Sequence, residues 1–160
     1  YFSSRNKNLN LSFKDIFFKG LSEDGGLFLP HHIPSLPDSV LKNFESCNFQ
    51  EMSFEIFKLY TGNTFNNDDL KKIISKAYSQ FRNSNIVDVK KINHISYVQL
   101  YHGPTLAFKD IAMQVLGGMY EFLLNDNNEK INLVTATSGD TGAAAIDAMH
   151  GKKNINILME

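Results

Sequence analysis

The sequence predicts an α/β protein in two parts. Residues 1–82 read as a small, mostly helical N-terminal domain, and residues 83–160 as the start of an open, partly parallel α/β domain. Three observations carry this. Helix-spaced apolar residues dominate the first part, with Leu70, Ile73, Ile74, Ala77, Tyr78 and Phe81 on one face. A strand-like run, Ile95 to Tyr101, is broken by Gly103-Pro104 and followed by a long apolar helix, because proline fixes φ and cannot donate to a sheet. Finally, Ile131–Thr135, a Gly-rich turn, Ala143–His150 and Asn154–Met159 follow as strand, turn, helix and strand. That order is a βαβ unit and makes its two strands parallel.

In chain order, Leu11 to Gly20 fits a short helix with Ser12 as cap and Gly20 as stop. Ser22 to Gly26 is a turn, and Leu27-Phe28-Leu29 is a short strand ended by Pro30. Ser39 to Phe44 and Ser53 to Tyr60 read as helices, the second capped by Ser53 and closed near Gly62. Asn66 to Asp69 leads into a helix over 70–81. Arg82 to Asn85 is a polar linker, and Val87-Asp88-Val89 either starts a strand or continues that linker. The helix after Pro104, with Thr105 as its expected cap, runs to about Leu124. Gly117-Gly118 inside it costs about 1 kcal/mol per glycine relative to alanine, which points to close packing against a neighbour. A parallel sheet with so few strands leaves an edge and a face uncovered, so the 160 residues read as part of something longer.

Composition narrows the function. With 42% hydrophobic and 21% charged residues the chain is globular. A net charge of −1 gives no bulk attraction for nucleic acid. The single Cys47 excludes an internal disulfide and a Cys-cluster zinc site, and a reducing, cytosolic compartment is the simplest expectation. No apolar run approaches the roughly 18 residues of a membrane span. The start, Tyr1 to Lys7, is too polar for a signal peptide, and Asn10-Leu11-Ser12 reads as a chance acceptor match. His31-His32 is a poor metal pair, because adjacent side chains diverge and no third ligand lies near, so no metal is expected.

Two stretches carry chemistry. In His102-Gly-Pro-Thr-Leu-Ala-Phe-Lys109-Asp110, the lysine falls at the start of a largely buried helix. The helix dipole and partial burial both disfavour a cation there, and so favour a neutral, nucleophilic amine of the kind a Schiff base needs. Asp110, adjacent on the helix, does not face Lys109. The alternative is a surface lysine whose stem lies along the helix. In Ala136-Thr-Ser-Gly-Asp-Thr-Gly142, a Ser/Thr/Gly-rich turn opens a helix, and such a turn presents free N–H groups to an anion. The bland alternative is a capped helix start with Ser138 or Thr141 as cap. The turn lacks the Gly-Lys-Ser/Thr ending of a P-loop.

These two motifs, with Asp24-Gly-Gly-Leu-Phe-Leu-Pro30 upstream, resemble those of threonine synthases, in the same order and over essentially the whole chain. The resemblance implies an N-terminal threonine synthase domain over 1–82 and the beginning of a pyridoxal-phosphate-binding catalytic domain over 83–160. It implies conversion of O-phospho-L-homoserine and water to L-threonine and phosphate. Lys109 would hold pyridoxal 5'-phosphate as a Schiff-base lysine and then serve as the base. Ser138, Gly139, Asp140 and Thr141 would bind the substrate's α-carboxylate, and Asp140 would also lie near the cofactor's ring hydroxyl. An ionised Asp140 beside a phenolate is repulsive, so one of the two would hold a proton. His102 would either contact substrate or the lysine loop, or make a structural hydrogen bond in the strand-to-helix turn. In this family the glycine-rich loop for the cofactor phosphate and the residue at the pyridine nitrogen lie beyond residue 160, so the 160 residues alone are expected to lack turnover. The alternatives are a related pyridoxal-phosphate phospho-lyase or dehydratase, and a non-catalytic interaction module. Oligomeric state is left open.

Overall fold

A computed structural model describes residues 1–127, 129–137 and 139–159. The chain separates into two compact units, Tyr1–Leu70 and Lys71–Glu160, with the division inside one helix.

In the first unit, β1 (Phe2–Ser3) pairs antiparallel with β2 (Phe28–Leu29). The turn before β2 is tied to β1 by side chains. Asp24 Oδ1 accepts from Ser3 Oγ at 2.8 Å and from the Gly26 N–H at 2.8 Å. These hydrogen bonds hold the Asp24 carboxyl below its ordinary range. Gly25 has φ +74°, and a Cβ on Gly26 would strike Ser3 Oγ, so both glycines are required by this turn.

Helix α1 (Phe13–Lys19) has the expected limits: Ser12 and Asp15 form a capping box and Gly20 ends it at φ +68°. Helix α2 spans Asp38–Asn43. Helix α3 (Phe49–Thr61) starts four residues before the expected cap. Its cap is Asn48, which forms a capping box with Glu51. Ser53 instead lies inside the helix, buried, with Oγ donating to the Phe49 carbonyl at 2.7 Å. Asn48-x-x-Glu51 was legible as a capping box, and it outcompetes a serine five residues on, because it satisfies two otherwise orphaned donors.

Helix α4 (Asn67–Tyr78) ends earlier than expected, and its stripe Leu70, Ile73, Ile74, Ala77 and Tyr78 is buried as predicted. Phe81 lies past the helix end but stays in ring contact with Tyr78 at 5.4 Å. Next come β3 (Asp88–Ile92) and β4 (Ile95–Gln99), an antiparallel hairpin turned at Asn93 with φ +54°. The Val87–Val89 segment therefore resolves as strand from Asp88 on.

Helix α5 (Asp110–Asn127) starts later than a Thr105 cap would require. Residues 103–109 form a chain of tight turns instead, with backbone bonds from Leu106 N to Gly103 O and from Asp110 N to Ala107 O. Leu106 is thereby half-exposed, whereas Val115, Met119, Leu123 and Leu124 are buried. Strand β5 (Ile131–Thr135), helix α6 (Asp140–Met149) and β6 (Ile155–Met159) form the βαβ unit, with β5 and β6 parallel. The small residues of α6 pack against α5. A Cβ on Gly117 would lie 2.5 Å from the Ala148 carbonyl oxygen, so the glycine allows two backbones to touch. The outer residues Val134 and Leu158 of the two strands are exposed, in keeping with the expected uncovered sheet. No helix among the described residues is long and apolar enough to cross a membrane.

Candidate functional site

Lys109 is the last residue before α5. Its carbonyl accepts from the Ala112 and Met113 N–H groups at 3.2 and 2.9 Å, so its backbone is tied to the helix start. The side chain is partly buried. Its Nζ lies 4.9 Å from the Phe108 ring centroid and donates to Thr141 Oγ1 at 3.0 Å. Among the described residues no carboxylate lies within ion-pair distance of this amine. The amine thus faces a neutral hydroxyl, where a surface lysine would face water.

Thr141 sits in the first turn of α6. That helix begins at Asp140, three residues ahead of the expected Ala143, and its N-cap is Gly139, which offers no side chain to the first-turn amides. Thr141 is therefore not the cap but the acceptor for Lys109, and Ser138 lies outside the described residues. Asp140, exposed, is on the same turn, where a carboxylate complements the helix dipole. Lys109, Thr141, Asp140 and Gly139 are thus brought to one place from two motifs, through the packing of α5 on α6. An open cleft of about 800 Å³ beside them is walled by Thr105, Thr137, Gly139, Asp140 and Asp147, with Lys109 outside its lining.

His102 stands apart from this group. Its Nε2 is buried without a hydrogen bond and lies 3.5 Å from Asp88 Oδ2. Asp88 is already engaged by the side-chain amides of Asn83 at 2.6 Å and Asn85 at 2.9 Å. Sequence reasoning missed Asp110 as a site element. Its carboxylate is fully buried and accepts from both the N–H and the hydroxyl of Thr105. No local rule points to it, since local bonds from Asp and Thr side chains span roughly two to four residues and this one spans five.

A second cleft of about 710 Å³ in the first unit, bordered by Phe13, His31, Tyr60 and Thr61, contains none of the lysine-motif or Gly-rich-turn residues. Among the described residues no group of three or more His, Cys, Asp or Glu could hold a metal ion.

The molecule is thus an α/β protein that sets a lysine loop against a Gly-rich helix start. A family model described as the threonine synthase N terminus matches residues 1–78. The threonine synthase of Schizosaccharomyces pombe is 39% identical over 99% of this chain and 33% of its own length. The crystal structure of pyridoxal-phosphate-bound threonine synthase from Brucella melitensis superposes with a TM-score of 0.93 at 34% identity, covering 99% of this chain and 34% of that one. Mouse threonine synthase-like 2 is 32% identical over 99% of this chain and 33% of its own length. In sequence along its whole length and in fold, the chain is similar to the N-terminal portion of these threonine synthases. It spans about a third of the length of the curated relatives it matches.

Proposed function

We propose that the chain carries the cofactor lysine and the substrate-carboxylate turn of a pyridoxal-phosphate-dependent threonine synthase, which converts O-phospho-L-homoserine and water to L-threonine and phosphate. The reading rests most on one observation. The Lys109 amine lies 3.0 Å from Thr141 Oγ1, joining two motifs 32 residues apart that the resemblance assigns to cofactor and substrate.

The residues present fit the cofactor. The Lys109 amine has a hydroxyl partner and, among the described residues, no competing carboxylate, as a group that must bond covalently to an aldehyde requires. The first-turn amides of α6 lack a side-chain cap, which suits a bound carboxylate. When bound, pyridoxal phosphate supplies an electron sink for carbanion chemistry. Lys109 would hold the cofactor and, once freed, take protons at the substrate's α and then β carbon. Thr141 Oγ1 would hold the amine between these transfers. The amides at Gly139 and Asp140, with Ser138, would hold the α-carboxylate, and Asp140 would face the cofactor's ring hydroxyl. The remaining proposals follow the same resemblance: an N-terminal domain over 1–82 preceding the catalytic domain from 83 on, a small-molecule substrate, and a cytosolic setting.

The resemblance also admits a second reading, a related pyridoxal-phosphate phospho-lyase or dehydratase that uses Lys109 without releasing threonine. Absorbance spectroscopy of the protein with pyridoxal phosphate, then borohydride trapping and peptide mapping, tests the shared part. A reduced adduct on Lys109 supports both readings, and product analysis with phosphohomoserine separates them. A folded protein with no near-visible band and no adduct would leave a non-catalytic interaction module.

A further inference from the structure

We propose that Asp110 is a positioning residue for Lys109: its buried carboxylate clamps both donors of Thr105 and so holds the 103–109 loop in the shape that delivers the lysine amine to Thr141. The inference rests on the reading of Lys109 as the cofactor amine.

Asp110 is fully buried, and among the described residues no cation pairs with it. A buried carboxylate in that position is costly unless hydrogen bonds replace its water. Here the bonds come from one residue. Thr105 N donates to Oδ2 at 2.9 Å and Thr105 Oγ1 donates to Oδ1 at 2.7 Å. An aspartate that opens a helix ordinarily turns its oxygens onto the amides of its own first turn. Asp110 instead reaches back five residues, to the far side of the loop that ends in Lys109.

The loop needs such a tie. Leu106 holds φ +64°, an uncommon conformation for a residue with a Cβ, and its half-exposed side chain gains little from burial to offset it. Gly103 must be glycine, because a Cβ there would collide with the Asp110 carboxylate. A weaker strap holds the entry: Arg82 N donates to His102 O at 2.8 Å and Arg82 Nη2 to Pro104 O at 3.3 Å. The Lys109 carbonyl is bonded into α5 while its N–H side continues into the loop, so the direction of its side chain follows the path of the loop as well as its own rotamer. Asp110 acts on the first.

The test compares Thr105→Val, which keeps the side-chain volume and removes the hydroxyl donor, with Thr105→Ser, which restores it. Asp110→Asn, which keeps an acceptor for the Thr105 N–H, is the partner variant. One readout needs no cofactor: reductive methylation with ¹³C-formaldehyde, followed by the NMR shift of the Lys109 methyl groups. The other is the rate of borohydride-trapped pyridoxal-phosphate adduct at Lys109. The expected result is a Lys109 resonance displaced to the position of an exposed lysine in Thr105→Val and unmoved in Thr105→Ser. Trapping should slow about tenfold in the valine variant, since a misplaced reacting group costs this much or more. A folded Thr105→Val protein with the parent's Lys109 shift overturns the proposal. If the parent traps no adduct while the methyl shift still depends on Thr105, the clamp stands and the cofactor reading falls.

Discussion

The Lys109 amine and the Thr141 hydroxyl meet at 3.0 Å although they lie 32 residues apart. One sits just before α5 and the other in the first turn of α6. A hydrogen bond contributes about 0.5–1.5 kcal/mol net, and each 1.4 kcal/mol is a tenfold change in rate. On the proposed reading, Thr141→Val should slow borohydride trapping of a pyridoxal-phosphate adduct at Lys109 by up to about tenfold. Thr141→Ser should recover most of it. Timed trapping of both variants checks this, and an unchanged rate in the valine variant would remove Thr141 from the site.

Gly117 gives a second test, in which two effects oppose each other. Glycine to alanine in a helix interior gains up to about 1 kcal/mol from propensity. Here the new Cβ would lie 2.5 Å from the Ala148 carbonyl oxygen and 3.1 Å from Lys152 Cε. A lysine carbon can move aside, but a backbone carbonyl cannot. Overpacking costs about 1–3 kcal/mol and wins. Gly117→Ala should lower the urea midpoint, and a rise in the midpoint would mean α5 and α6 are not held this close.

The limits of α3 predict a contrast between two polar residues. Asn48→Ala removes the cap and should cost about 1 kcal/mol. Ser53→Ala removes only a bond back to the Phe49 carbonyl within the helix and should fall within about 0.5 kcal/mol of the parent. Equilibrium denaturation of the two variants side by side decides it. Equal losses would contradict the observed helix start.

Glu121 predicts a pH dependence. Burial raises its carboxyl, but hydrogen bonds from Lys76 at 3.0 Å and Lys152 at 3.1 Å outweigh this and hold it below its ordinary value. The unfolded chain then binds the proton more readily than the folded one. Its contribution is fully present above the unfolded-state value and is lost as the pH falls through the folded-state value. The pairs are partly exposed, so the effect stays under about 1 kcal/mol. Glu121→Gln should be less stable than the parent at neutral pH, with the difference closing in acid. A constant difference down to the acid limb would assign the loss to packing.

Much of this molecule was legible from local pattern. Ser12 and Gly20 mark the ends of α1 because capping is a contest among a few neighbouring groups. The stripe from Leu70 to Tyr78 shows which face of α4 is buried because helical period alone decides it. The βαβ unit follows from strand, turn, helix and strand at short spacing, because so short a crossover makes parallel strands neighbours. Gly117-Gly118 announced a close approach, although its partner, Ala148, lies too far along the chain for any local rule to reach.

The lysine loop was legible in its residues and not in its shape. Gly103-Pro104 shows that the chain must turn, and Lys109 can be read as a chemical candidate from the motif. Thr105 is a reasonable cap by its type, yet its hydroxyl goes to Asp110 and the helix waits five residues. A cap is chosen by comparing local bonds, whereas Asp110 is drawn into place by burial of the whole α5 face. The same applies to α6, whose start at Asp140 puts Thr141 beside Lys109. The sequence by itself determined the elements, the motifs and their chemistry, because propensity, capping and period act within a few residues. Only the tertiary structure decided which hydroxyl meets the lysine and which carboxylate holds its loop, because those choices rest on the packing of α5 against α6.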